Sequence, residues 1–162
     1  MGPRASVIVV TTVNAAGLAR CLRSLAAQPD DPSFETIVVL NGAEDEVREV
    51  ATGASGVKVV ESVVNRGFAG GANLGRAAAS GEFIVLLHDD AEAQEGWLSA
   101  LVRCADEHPE AGAIGSRVLN PDGTLQNAGT VLWRDASTRG LSGADGVVAA
   151  EAVACLHLVR AD

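Results

Sequence analysis

Four short, continuously apolar runs alternate with segments of helical period, and this alternation restricts the possible fold more than any other feature of the chain. The runs are SVIVVT (Ser6 to Thr11), ETIVVL (Glu35 to Leu40), VKVVES (Val57 to Ser62) and EFIVLL (Glu82 to Leu87). A strand that is apolar at nearly every position has no face for water, so it belongs inside a sheet covered on both sides, the usual setting of parallel strands. Between the first two runs, Leu18, Cys21, Leu22 and Leu25 recur at helical spacing; Val47, Val50, Ala51 and Ala54 do so before the third. Leu74, Ala77 and Ala78 predict a third helix, which Gly81 can terminate. The order βαβαβαβ predicts an α/β fold: an open, mainly parallel sheet with right-handed crossovers and helices on both faces. The 162 residues suffice for one such domain, 1–162, and not for two.

Beyond the fourth run, Trp97, Leu98, Leu101, Val102 and Ala105 form an amphipathic stripe that stops before Pro109 and predicts a fourth crossover helix. AGAIGSRVL reads as a strand, NPDG (Asn120 to Gly123) as a tight turn, and TLQNAGTVLW as a returning arm. Residues 133–147, rich in Gly, Ser, Asp and Arg, are expected to form a mobile loop, and EAVACLHLVR a last strand. There is no internal repeat. Aromatics make up only 3% of the chain, so Val, Leu, Ile and Ala must build the core. The net charge of −9 excludes a protein whose affinity comes from neutralising nucleic-acid phosphates. No run approaches the roughly 20 apolar residues that span a bilayer, and MGPRAS leads into the first strand without a signal-peptide pattern, so a cytoplasmic location is expected. Cys21, Cys104 and Cys155 lack metal or disulfide spacing and read as buried free thiols.

The fourth run, FIVLLHDDAE, turns abruptly into His88, Asp89 and Asp90. Ligands of open α/β sheets bind beyond the carboxyl ends of the strands, where these residues stand. Adjacent carboxylates repel and call for a cation or several donors, and an oxygen-rich pair suits Mg²⁺ or Mn²⁺. The alternative is a solvated turn in which Asp90 or a neighbour caps the next helix. A second feature is NRGFAGGANLG (Asn65 to Gly75), leading from the third strand into a helix. Gly67, Gly70, Gly71 and Gly75 permit close approach of a ligand or of another segment, and Arg66 could add charge beside the amides of a helix N-terminus. Neither Walker A nor GxGxxG spacing is met, so packing and phosphate binding both stand. Thr11, Thr12 and Asn14 end the first strand at the same sheet edge, within reach of a base or ribose, with helix capping as the alternative for Asn14. Asn41-Gly42 ends the second strand and also reads as a turn. His108 and His157 carry no defensible catalytic arrangement, and no nucleophile elbow or Ser/His/Asp set is present.

Taken together, these segments resemble the nucleotide-sugar-binding half of a family 2 glycosyltransferase of the GT-A fold. SVIVVTTVN resembles the family's first strand, VVLNGAEDE its second strand and turn, and NRGFAGGANLGRAAASGEFIVLLHDDAE the run leading to its DXD-type metal motif. IGSRVLNPDGTLQNAG resembles the bacterial rhamnosyltransferase-like branch, and the match covers nearly the whole chain. The resemblance implies that Asp90 coordinates a divalent cation, Mn²⁺ or Mg²⁺, bridging the donor diphosphate, with Asp89 near the ribose or the metal. By the same carry-over Thr11, Thr12, Asn14, Asn41, Arg66 and Gly70 line the donor pocket, with Asn73 near its floor.

The implied reaction is an inverting transfer from a UDP- or dTDP-sugar to a hydroxyl of a glycan or lipid-linked acceptor, at the inner face of the membrane. Three departures accompany the resemblance. Leu40 stands where family members commonly carry a base-contacting aspartate, and His88 takes the first place of the DXD triplet. The chain stops after EAVACLHLVRAD, which resembles the strand before the acceptor region, so the acceptor part and its catalytic-base motif are expected to be missing and no residue takes the base's role. A non-catalytic nucleotide-sugar-binding module, or an interaction module of the same fold, is the alternative reading. Self-association, or pairing with a partner chain, is expected through an uncovered strand at Val153 to Val159.

Overall fold

A computed structural model describes residues 2–127, 129–132, 138–140 and 158–160. The four apolar runs are strands: β1 (Ala5–Thr11), β2 (Phe34–Asn41), β3 (Val57–Ser62) and β4 (Phe83–His88). They pair in parallel in the order β3-β2-β1-β4, with Thr11 opposite Leu40 and Val10 opposite His88. The chain winds outward from β1 through β2 to β3 and then returns to the other side of β1 to form β4. The winding therefore reverses between β1 and β4, where their two connections leave in opposite directions and open a crevice at the carboxyl ends.

Helices α1 (Ala15–Ala26), α2 (Asp45–Gly53) and α4 (Trp97–Glu107) pack on one face of the sheet, and α3 (Gly67–Ala78) on the other. The first face holds the larger core. Leu18, Cys21, Leu22 and Leu25 of α1 and Leu98, Leu101, Val102 and Ala105 of α4 meet Val7, Val9, Val38, Leu40, Val85 and Leu87 there. Each such leucine or valine contributes roughly 1.5–3 kcal/mol on burial. Asn14 caps α1, its Oδ1 accepting from the Gly17 amide at 2.9 Å.

The opposite face is thinner and is built by close approach. The third helix begins at Gly67, so the glycine-rich run forms its first turns. The buried stripe of α3 is Gly71, Ala72 and Gly75, whereas Leu74 is half-buried and Ala77 exposed. A Cβ added at Gly71 would stand 2.6 Å from Val10 Cγ1, and one at Gly75 would collide with Ile8 Cγ2. Glycine at these positions lets the helix lie directly on β1 and β2, and at these two positions the packing reading of the glycines holds.

Past α4, the stretch read as one strand is two short ones, β5 (Ala113–Ile114) and β6 (Val118–Leu119), interrupted at Gly115 and Ser116. The NPDG turn joins β6 to β7 (Leu125–Asn127) as an antiparallel hairpin, and the Gly123 amide donates to the Asn120 carbonyl at 2.9 Å. The returning arm continues as β8 (Thr130–Leu132), which pairs with β9 (Thr138–Gly140). The segment expected as a mobile loop thus contains a paired strand; its remaining residues, 133–137 and 141–147, lie outside the described residues. Strand β10 (Leu158–Arg160) runs antiparallel between β4 and β5, completing the sheet order β3-β2-β1-β4-β10-β5. The described part of the strand expected to be uncovered is therefore paired along both edges, while 153–157, with Cys155 and His157, lie outside the described residues. Cys21 is buried and Cys104 half-buried, both free. Among the described residues no helix is long and apolar enough to cross a membrane.

Candidate functional site

Parallel pairing brings the ends of β1, β2, β3 and β4 to one sheet edge, and most of the singled-out residues stand there. At the reversal of winding the two strand ends are joined directly: Thr11 Oγ1 donates to Asp89 Oδ2 at 2.6 Å. Thr11 is 1% exposed and Asp89 half-buried, so this bond aims the carboxylate from below. Asp90 is exposed and has no hydrogen-bond or ion-pair partner among the described residues. The cap of α4 is Gly96, in the left-handed conformation, well beyond Asp90. Asp90 therefore does not cap the next helix.

The segment that follows the acidic pair is braced by α1. The Ala93 amide donates to Ser24 Oγ at 2.9 Å, Gln28 Nε2 donates to the Ala93 carbonyl at 3.3 Å, and Arg20 pairs with Glu92 at 3.1 Å. Beneath the turn the Cys21 thiol donates to the His88 carbonyl at 3.7 Å. Burial, together with the negative charges of Asp89, Asp90 and Glu92, pushes that thiol up to about 12, so it remains protonated and unreactive at neutral pH.

A second cluster lies at the end of β2. Asn41 is 2% exposed; its Oδ1 accepts from the Arg66 amide at 2.9 Å, and its Nδ2 donates to Asn65 Oδ1 and to the Gly67 carbonyl, each at 3.1 Å. Arg66 Nε donates to Ser62 Oγ at 3.0 Å. The two clusters meet through an aromatic contact: Phe68, in the first turn of α3, stacks on His88 with ring centroids 5.2 Å apart and planes 15° from parallel.

Other expected residues sit apart from these contacts. Asn14 is occupied as the α1 cap, and Thr12 is half-buried with its carbonyl accepting from the Glu44 amide at 3.0 Å. Gly70 packs against its own helix, where an added Cβ would stand 2.6 Å from Arg66 Cβ. Asn73 is exposed, nearly two turns into α3 and about 9 Å along its axis from the N-terminus. Sequence reasoning passed over Phe68, Asn65, Ser24 and Gln28. For Phe68 a signal existed, since a phenylalanine inside a glycine-rich run stands out in a chain with 3% aromatics.

Among the described residues no group of three or more His, Cys, Asp or Glu side chains is arranged to enclose a metal. Two carboxylates at an open edge, one of them unpartnered, instead suit a hard cation that takes one or two protein oxygens and completes its shell with phosphate and water, as Mg²⁺ and Mn²⁺ do. The residues fit such an ion.

The family model for "Glycosyl transferase family 2" matches residues 6–159. The chain belongs to that family. Among curated relatives of this family 2 domain, the O-antigen biosynthesis protein RfbC of Myxococcus xanthus is 33% identical over 134 residues, which cover 80% of this chain and 10% of that protein. Among solved structures, the mannosyltransferase PcManGT from Pyrobaculum calidifontis, in complex with GDP-Man and Mn²⁺, superposes with a TM-score of 0.66 at 26% identity, covering 75% of this chain and 37% of that one. The S. aureus TarS 1–349 complex with UDP-GlcNAc gives a TM-score of 0.61 at 26% identity, covering 78% and 39% respectively. The fold is GT-A. The family 2 domain thus spans a tenth of RfbC and less than two-fifths of each of these two solved chains.

Proposed function

We propose that this family 2 domain binds a nucleotide-diphospho-sugar at the carboxyl edge of its sheet and presents it for inverting transfer to an acceptor hydroxyl. The observation that carries the reading is the state of Asp90: an exposed carboxylate at the winding reversal, beside a second carboxylate, and among the described residues neither a helix cap nor a member of an ion pair. A charged pair held against its own repulsion is maintained for a ligand that needs it. The mannosyltransferase neighbour, whose complex contains GDP-Man and Mn²⁺, supports the same reading.

Asp90 and Asp89 would hold the divalent ion. When bound, that ion neutralises the donor diphosphate and stabilises its departure. The chain's own residues orient the site. Thr11 fixes one oxygen of Asp89 and leaves the other available, Ser24 and Gln28 hold the backbone beyond the acidic pair, and the Phe68–His88 stack walls the turn on the α3 side. With Leu40 buried in the core, no carboxylate occupies that place at the end of β2, so the base is read by other groups. A UDP- or dTDP-linked hexose or rhamnose and a glycan or lipid-linked acceptor complete the proposed reaction, on the cytoplasmic side of the membrane. No described residue is assigned to deprotonating the acceptor.

Calorimetric titration of UDP, dTDP and GDP, with and without Mn²⁺, tests the reading. The expected result is metal-dependent binding of at least one nucleotide, abolished by Asp90→Ala. Binding of none under either condition would leave the domain a GT-A scaffold without donor chemistry.

A further inference from the structure

Asn41 stands at the sheet edge among the donor-side residues, yet its carboxamide faces inward and is used up by the protein. We propose that Asn41 is a positioning residue, which fixes the first turn of α3 and through it the Phe68–His88 stack beside the acidic pair. The proposal rests on the donor-site reading for its functional consequence, though not for its structural core.

The hydrogen bonds define the orientation of the amide without ambiguity. Asn65 Oδ1 accepts from the Gly67 amide at 2.8 Å, so it is an acceptor and requires a donor from Asn41. The Gly67 carbonyl requires another, and the Arg66 amide requires an acceptor. Only Nδ2 toward Asn65 and Gly67, with Oδ1 toward Arg66, satisfies all three; the flipped amide would set an oxygen against two acceptors. Both Nδ2 hydrogens are consumed at a site 2% exposed, which leaves no donor for a ligand.

The turn so held is the start of α3. Its N-cap residue, Arg66, makes no side-chain capping bond of its own, so Asn41, reaching across from β2, and Asn65 take up the amides of residues 66 and 67. Phe68 follows at once and reaches His88, the residue before Asp89. One turn further on, Gly71 seats the same helix against Val10 and the Asn41 side chain; an added Cβ there would lie 3.4 Å from Asn41 Cγ. A contiguous path therefore runs from β2 through α3 to the end of β4, across the crevice. Displacing the turn moves one wall of the site while the core leucines and valines stay in place.

The test uses the ring signals of His88 in the proton–carbon NMR spectrum of the apo protein, assigned through His88→Gln. Stacking places this ring in the shielding cone of Phe68, and Phe68→Leu gives the unstacked position. Asn41→Asp is nearly isosteric but puts a carboxylate oxygen against two acceptors. Asn65→Ala removes the shared acceptor of two bonds of the same turn, those from Asn41 Nδ2 and the Gly67 amide, and leaves the other two bonds of Asn41 in place; it does so from an exposed position, where folding of the core is not at stake. Both variants are expected to move the His88 signal toward the Phe68→Leu position, fully for Asn41→Asp and partly for Asn65→Ala, with the amide spectrum of the core unchanged. Metal-dependent nucleoside-diphosphate affinity should fall about tenfold in Asn41→Asp. An unmoved His88 signal in both variants overturns the proposal, as does a moved signal with unchanged affinity. If the unaltered protein binds no nucleotide, the donor reading fails on its own and the His88 signal alone decides the positioning of the stack.

Discussion

The two ends of the same four strands are built differently. At the amino end polar groups are paired with one another. Buried Ser6 donates to Glu35 at 2.6 Å and accepts from the Gly81 amide at 2.9 Å, and the Ser80 amide and hydroxyl both donate to Glu35 at 2.7 Å. Arg4 grips Asp106 at 2.7 and 2.9 Å, pairs with Glu82 and lies over the Phe83 ring at 5.2 Å. At the carboxyl end Asp90 has no partner among the described residues, His88 is exposed, and Val13, Val63 and Phe68 are 64%, 91% and 45% exposed. Buried polar groups must be satisfied for a chain to stay folded, so the amino end closes on itself. Groups left open at the other end are completed by water or a ligand, and that asymmetry supports the proposed donor site at the carboxyl end of the sheet.

Substitutions at the two ends should separate stability from binding. The largest effect is expected from Asp90→Ala, which should weaken metal-dependent nucleotide binding by about a hundredfold or more, ~2.8 kcal/mol, by calorimetry. The same variant should melt no lower than the parent, because it relieves repulsion from Asp89. Next, Ser6→Ala leaves the Gly81 amide without its acceptor in a buried place and should cost about 1–3 kcal/mol of unfolding free energy in urea. Its nucleotide affinity should be that of the parent; a loss of affinity would break the separation of the ends. Thr11→Val keeps the shape of a 1%-exposed side chain but removes the donor to Asp89. It should weaken binding about fivefold, or ~1 kcal/mol.

The smallest effect is a dependence on pH. Burial raises the Glu35 carboxyl, but the hydrogen bonds from Ser6 and Ser80 and the charge of Lys58 outweigh it, so in the folded protein it lies below its ordinary value of 4.5. A depressed folded value contributes stability that is fully present above the unfolded value and is lost as pH falls through the folded one. Unfolding free energy measured downward from about pH 5 should therefore fall less steeply in Glu35→Gln than in the parent. Equal slopes would show that Glu35 is not held as described.

Much of this contrast is legible in the sequence, and the remainder is hidden for identifiable reasons. β1, β2 and β4 stand out because each is apolar on both faces, whereas β3, at the edge of the sheet, exposes Lys58 and Glu61 and only half-buries its valines; the acidic pair is located by the strand that ends at it. Helix α1 follows from Leu18, Cys21, Leu22 and Leu25, all of which are buried. Helix α3 is harder to read: its buried stripe runs through Gly71 and Gly75, residues with no apolar signal that pack because they have no side chain. The break of one expected strand into β5 and β6 follows from Gly115 and Ser116, the latter buried and accepting from the Trp97 indole at 3.2 Å. The antiparallel insertion of β10 between β4 and β5 is a long-range pairing that no local pattern encodes. The role of Asn41 is likewise invisible from β2 alone, because its partners, Asn65 to Gly67, arrive from beyond β3.

The most direct test of the donor site proposed at the carboxyl end locates the metal as well as detecting it. In the proton–nitrogen spectrum, Mn²⁺ added in the presence of UDP or GDP should broaden amides near Thr11, Asn65 to Phe68 and His88 to Ala91. It should leave those of Arg4, Ser6, Glu35 and Ser80 to Glu82 sharp. Broadening spread over the acidic surface, or centred on the amino end, would contradict the account.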